Sequence, residues 1–293
     1  MAKSDLRRGG RAHSPILLST YIESLTHDMD GRGLPQNRTN CDVPRKPSIS
    51  PSKMSTYLAC PVKYRYTYLD SRARWLLKAK SYYSFGTTLH RVLQRFHDTG
   101  DTGVATTAEV LAAYEESWID AGYSSAEEMA ESFGEGRQIL ERYVEDVQSR
   151  PAGAKTILVE RQIRYDFGDF VLIGRVDRVD EYEDGTLEVV DYKSGRSSVS
   201  EEDVATDIAM CCYQLLLRKK YPGRNVRARI IALRTHESAI ASLADSELEE
   251  FERDITTLAR EILSENFDER RPVQKPICEH CDFLIACKQD PDF

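Results

Sequence analysis

Residues 170–193 read FVLIGRVDRVDEYEDGTLEVVDYK, and how this stretch pairs with itself decides the fold. Phe170 to Tyr182 and Thr186 to Tyr192 are rich in β-branched and aromatic residues, with Glu183-Asp184-Gly185 between them. Two such runs joined by a short turn containing glycine predict a β-hairpin. With Gly185 in the left-handed position of a three-residue loop, pairing is centred on Asp184. Asp177 and Asp191 are equidistant from that centre and face each other across the hairpin. Lys193, two residues beyond Asp191, projects from the same face.

Carboxylates placed directly opposite repel, and strand pairs ordinarily avoid them. A divalent cation reverses the sign, since Mg²⁺ takes oxygen ligands from one or two carboxylates and keeps waters. Such a cation acidifies a water and polarises a phosphate oxygen. A lysine beside it orients that water or offsets charge developing on the phosphate. Asp177, Asp191 and Lys193 are therefore the catalytic candidates. The plain alternative is a wet hairpin with ordinary surface charges, and a different loop length would turn the carboxylates to opposite faces. Leu187, Val189 and Val190 weigh against it, because they predict a largely buried strand in which an unpaired Asp191 is costly.

Outward from the hairpin, Ile157 to Tyr165 alternates as a strand, and Val226 to Leu233 reads as another. Helices are predicted after Ser50 (Met54, Tyr57, Leu58), over Gly86 to His97, about 107–120, about 125–149, Asp203 to Tyr221, and Ser246 to Phe267. Residues 1–46 carry Gly, Arg, Asn and Pro with little periodicity and read as a flexible arm, with a short helix near Ile16 to Leu25. The expectation is an α/β domain over 47–293, with a mixed central sheet flanked by helices and a helical insertion at about 100–150.

Composition narrows the classes. A hydrophobic content of 41% and a charged content of 30% suit a globular chain with a substantial core. No apolar run approaches the roughly 20 residues of a membrane helix. No apolar stretch follows basic Met1 to Arg11, so a cytoplasmic protein is expected. A net charge of −8 argues against non-specific coating of nucleic acid, but leaves local phosphate contacts open.

The hairpin resembles the PD-(D/E)XK nuclease superfamily, in its RecB-type branch. There a Gly-x-x-Asp strand precedes an (Asp/Glu)-x-Lys strand, as in Gly174-Arg175-Val176-Asp177 and Asp191-Tyr192-Lys193, followed by Ser194-Gly195. The branch also carries a Gly-x-x-x-His helix, matched by Gly86-Thr87-Thr88-Leu89-His90. The resemblance implies that His90, Asp177, Asp191 and the Tyr192 carbonyl bind Mg²⁺ or Mn²⁺, with Lys193 catalytic. His97 is a rival ligand by spacing alone. Glu160 resembles an acidic position before the hairpin and is a secondary candidate. The branch's Gln-x-x-x-Tyr motif is incomplete: Tyr213 is present, Ala209 stands where glutamine is expected, and Gln214 is the nearest substitute.

Of seven cysteines, Cys278, Cys281 and Cys287 crowd the C-terminal residues, and Cys60 in Leu58-Ala59-Cys60-Pro61 is the candidate fourth thiolate. RecB-type nucleases with an iron–sulfur cluster, including CRISPR adaptation-associated and AddB-type repair nucleases, place one cysteine before the nuclease motifs and three after. The resemblance implies a [4Fe–4S] cluster, with tetrahedral zinc the alternative. His280 is a lesser candidate, Cys211 and Cys212 read as packing residues, and Cys41 has no evident role.

Residues 63–83 interleave rings and cations, from Lys63, Tyr64 and Arg65 to Trp75, Tyr82 and Tyr83. They read either as a grip on single-stranded nucleic acid or as a helix whose tyrosines enter the core. Arg218, Lys219, Lys220, Arg224, Arg227 and Arg229 form a second basic region. The resemblance implies an exonuclease on single-stranded DNA ends, with repair, helicase or CRISPR adaptation proteins as partners and repair or replication as settings. The rival is a non-catalytic DNA-binding or assembly subunit that keeps the fold.

Overall fold

The computed structural model describes residues 46–98, 100, 103–149, 153–195, 198–291 and 293. The expected helix near Ile16 to Leu25, Cys41 and all but the end of the expected arm lie outside them. The hairpin forms in the expected register. Strand β3 (Val171–Tyr182) pairs antiparallel with β4 (Leu187–Lys193), from Glu181 opposite Leu187 to Arg178 opposite Val190. Gly185 is left-handed at φ +83, and Thr186 N–H donates to Asp184 Oδ1 at 2.8 Å, fixing the turn.

Four further strands complete a mixed sheet. β2 (Ala154–Asp166) runs antiparallel along the whole of β3, and β1 (Ser48–Ile49) adds two parallel pairs at Val171 and Leu172. β5 (Val226–Ala232) is parallel to β4, and β6 (Glu237–Ala241) pairs antiparallel with β5. β1 is too short for the sequence to reveal. β6 is polar at Glu237 and Ser238, and its alternation is lost among turn residues.

Helices cover both faces. On one, α1 (Pro51–Ala59), α7 (Ile208–Lys220) and α8 (Asp245–Ser264) enclose the main core around Tyr57, Leu216, Phe251 and Leu258. On the other, α3 (Ser81–His97), α4 (Thr107–Ser117) and α5 (Ala126–Ser149) pack Leu89, Tyr114 and Leu140 onto Val190 and Tyr192. Ser50 caps α1 by accepting the Lys53 N–H, as its position predicts. The helix expected over Asp203 to Tyr221 is two helices, α6 (Glu201–Thr206) and α7. Asp207 breaks it by accepting the N–H groups of Ala209 and Met210 as the cap of α7. Short α2 (Pro61–Tyr64) follows Cys60, and α9 (Leu284–Cys287) lies near the C-terminus. Among the described residues no helix is long and apolar enough to cross a membrane.

Candidate active site

The site lies where the β3–β4 ladder ends. Leu172 and Val176 of β3 face the main core, but so does Val179, three residues on, so the alternation breaks at Asp177–Arg178. Pairing stops at Arg178 opposite Val190, and Asp177, one residue on, meets β4 through its side chain, whose Oδ2 accepts the Tyr192 N–H at 2.9 Å. Gly174 makes this packing possible, since a Cβ there would lie 2.8 Å from Leu216 Cδ1 and 2.9 Å from the Tyr213 ring. The Gly-x-x-Asp spacing thus lets α7 sit tightly on the strand that carries Asp177.

His90 reaches the same point from α3. Its Nε2 is 3.0 Å from the Tyr192 carbonyl, and its Nδ1 is 3.3 Å from Asp177 Oδ1 and 3.8 Å from Glu160 Oε1. Among the described residues, His90, Glu160 and Asp177 are the one set of three or more histidines, cysteines and carboxylates whose ligand atoms all lie within 4.8 Å of one another. Burial alone would lower the His90 pKa, but hydrogen bonds to Asp177 and Glu160 and the surrounding negative charge push it up to about 10. The protein holds a proton where anionic and carbonyl oxygens converge.

Glu160, a secondary candidate by sequence, is central by geometry. Its backbone is left-handed at φ +46, where a side chain is strained, and Arg175 Nε holds its Oε2 at 2.7 Å. Asp191 is buried, and Lys193 Nζ lies 2.8 Å from its Oδ2. Lys193 Nζ is the one charged donor that reaches this buried oxygen among the described residues. Burial and then the charge of Asp177 hold the Asp191 carboxyl above the usual range. Burial opposes the Lys193 charge, but Asp191 outweighs it and raises the lysine pKa. Asp207 adds negative potential at Asp191 and Lys193. Asp207 carries no signal in the sequence, because a helix cap and a site residue look alike.

The donor set fits a hard divalent cation: carboxylate oxygens, one imidazole and one main-chain carbonyl, with an underbonded buried carboxylate beside them. A family comparison decides the rest, because the model of the PD-(D/E)XK nuclease superfamily matches residues 48–288. The chain belongs to the PD-(D/E)XK nuclease superfamily. This superfamily consists of nucleases that work with Mg²⁺ or Mn²⁺, and its fold implies DNA as substrate. The curated proteins yield no significant match. Among solved structures, SSO0001 is similar at 13% identity over 94% of this chain and 95% of that one, with a TM-score of 0.37. A proposed exonuclease from Eubacterium rectale is similar at 15% identity over 72% of this chain and 91% of that one, with a TM-score of 0.35. Neither likeness is close enough to bear on function.

Other expected residues fall elsewhere in this nuclease-superfamily fold. His97 is turned from the carboxylates, with Nε2 at 2.8 Å from Tyr143 Oη and 2.7 Å from Arg178. Tyr213 is buried near Asp191 and Asp177, and burial with their charge raises its pKa. Gln214 points to the far side of α7, where its Oε1 accepts the Leu243 N–H at 3.0 Å. Five of the six cations of the second basic region are ion-paired: Arg224 with Glu181, Arg227 and Arg229 together with Glu188, Lys219 with Glu252 and Arg218 with Asp245. The 63–83 stretch divides, with Tyr64 stacked on Phe267 in the core and Trp75, Tyr82 and Tyr83 exposed.

Cys60, Cys278, Cys281 and Cys287 line one cavity. Burial, then the neighbouring thiols, pushes Cys287 up to about 11. No three of these sulfurs lie within 4.8 Å of one another. Lys63 N–H donates to Cys60 Sγ and Lys275 N–H to Cys278 Sγ, each at 3.4 Å. Cys211 and Cys212 are buried in the main core, and His280 is exposed.

Proposed function

We propose that this chain is a metal-dependent exonuclease of the RecB-type branch that hydrolyses phosphodiester bonds at single-stranded DNA ends. The observation that carries this reading is the convergence of His90, Glu160 and Asp177 on one point, with Asp191 and Lys193 adjoining. His90, Asp177, Asp191 and the Tyr192 carbonyl hold Mg²⁺ or Mn²⁺, with Glu160 as a further ligand. The bound cation supplies an acidified water and polarises the scissile phosphate. Coordination by His90 would require its neutral imidazole, so cation binding would compete with protons. Lys193, beside Asp191, orients the attacking water or offsets charge on the phosphate. Asp177 fixes the Tyr192 peptide through the N–H it accepts.

The four cysteines hold a [4Fe–4S] cluster that ties residue 60 to the C-terminal segment. Their shared cavity and the two N–H···S contacts support it. Tetrahedral zinc fits less well, since Zn–S bonds of about 2.3 Å bring sulfurs to roughly 4 Å. In domain terms, α4 and α5 are the helical insertion of one nuclease domain, residues 47–293. Partners in repair, replication or CRISPR adaptation follow from the branch.

The test is degradation of 5′- and 3′-labelled single-stranded and duplex DNA with Mg²⁺ or Mn²⁺, by wild type and Lys193→Ala. The proposal expects end-dependent loss of single strands by wild type alone. Absence of cleavage by folded, cluster-replete protein would favour the binding-subunit reading.

A further inference from the structure

The solvent side of α3 is organised along the site. Phe85, Leu89, Val92 and Leu93 enter the core. The opposite face carries Tyr83, Gly86, Thr87, His90, Arg91 and Gln94, at helical spacings of three and four, and all six line one cleft with Glu160 and Lys193. Tyr82 joins Tyr83 at its mouth. The two rings are 57% and 64% exposed with centroids 4.4 Å apart, so two large apolar faces stand in water beside the candidate metal ligands. Neither supports the core. From Tyr83 to His90 is seven residues of helix, about 10 Å along the axis.

We infer that Tyr82 and Tyr83 form a base-stacking platform for an unpaired nucleotide next to the phosphate being cut. This rests on the proposed nuclease reading and assigns its strand preference to two residues. Three observations favour a nucleotide over a protein partner. The platform opens into the same cleft as His90, so its occupant is continuous with whatever reaches the site. Arg91 lines that cleft and supplies positive charge for a backbone, while Arg175 there is held by Glu160. The floor between platform and His90 is narrow-bodied at Gly86, where a Cβ would lie 2.9 Å from Ser194 Oγ. A base within a duplex has both faces occupied by its stacked neighbours, and a terminal pair can offer its outer face only with the second strand beside it. An unpaired end offers its face alone.

The experiment measures binding of the full chain to fluorescein-labelled oligonucleotides by anisotropy, without divalent metal so that cleavage does not intrude. Wild type, Tyr82→Leu/Tyr83→Leu and Tyr82→Phe/Tyr83→Phe are compared on a single strand, a blunt duplex, and single strands with an abasic residue at successive positions from the end. Both side chains are exposed, and thermal melting verifies that each variant is folded. Stacking contributes about 1–3 kcal/mol per base, so the leucine variant is expected to lose about 5- to 150-fold affinity for the single strand. The phenylalanine variant keeps it, duplex affinity is unchanged, and one abasic position reproduces the loss in wild type only. Unchanged single-strand affinity in the leucine variant overturns the platform, as does an equal loss on duplex. Cleavage of the same strands with Mg²⁺ is measured in parallel: no cleavage by wild type fails the nuclease reading, whereas cleavage with unchanged single-strand affinity in the leucine variant fails the platform alone.

Discussion

Removal of the Arg178 guanidinium tests the layer beneath the site. Arg178 is buried on the α3–α5 side of the sheet and donates to Asp180 Oδ2 at 3.0 Å and to the hydroxyls of Tyr143 and Tyr192, each at 2.7 Å. Tyr192 is the residue whose N–H meets Asp177 and whose carbonyl meets His90, so this network anchors its backbone from behind. In Arg178→Met, the buried Asp180 carboxylate keeps only Thr156 Oγ1, at 2.8 Å, as a described hydrogen-bond partner. A buried charge stripped of its partner costs about 3–5 kcal/mol. At about 2–4 °C per kcal/mol for a domain of this size, Tm falls by about 6–20 °C. The double variant Arg178→Met/Asp180→Leu removes both charges and recovers most of the loss, since an apolar pair of similar volume is often neutral. Urea unfolding of the wild type, both single variants and the double variant closes the cycle. A single-variant loss below about 1 kcal/mol, or a double variant no more stable than Arg178→Met, would refute the reasoning.

Further outcomes are expected. Burial first, and then the charge of Arg178, holds His97 well below its ordinary pKa of 6.5. The folded state keeps His97 neutral while the unfolded chain protonates it below pH 6.5, so its contribution is present above that pH and lost as pH falls. Stability therefore declines on acidification by up to about 1.4 kcal/mol per pH unit from this group, and denaturant titrations at pH 7.5 and 5.5 should show a smaller decline in His97→Asn. Gly174→Ala drives a Cβ into the Tyr213 ring and should cost about 1–3 kcal/mol, read from urea unfolding. Glu160→Gly relieves the left-handed strain and removes a ligand, so Tm holds or rises while Mn²⁺ affinity falls; a lower Tm with unchanged affinity would contradict it. Cys60→Ala should lose the iron and the visible absorbance of anaerobically purified protein, whereas a zinc site would show neither in the wild type.

The hairpin was legible because a short turn with one glycine sets the register, and that register puts Asp177 opposite Asp191. The long helices were legible from apolar spacing and the Ser50 cap. Glu160 could be ranked only as secondary, because its importance lies in a backbone conformation that no side-chain pattern encodes. Asp207 escaped notice because a cap mid-way through an apolar run does not interrupt periodicity. Gln214 misled because neighbours on a helix point about 100° apart, so proximity to Tyr213 in sequence puts it on the Leu243 side. The pairing of the second basic region could not be read, because its carboxylate partners on β3, β4 and α8 are distant in sequence.

The central claim is that the end of the β3–β4 ladder binds a divalent cation. Solution paramagnetic resonance of Mn²⁺ titrated into the full chain, against Asp177→Asn, tests it most directly. The account predicts saturable Mn²⁺ binding by wild type, strengthening as pH rises and His90 yields its proton, and strongly reduced binding in the variant. No binding by folded wild type, or equal binding by both proteins, would contradict it.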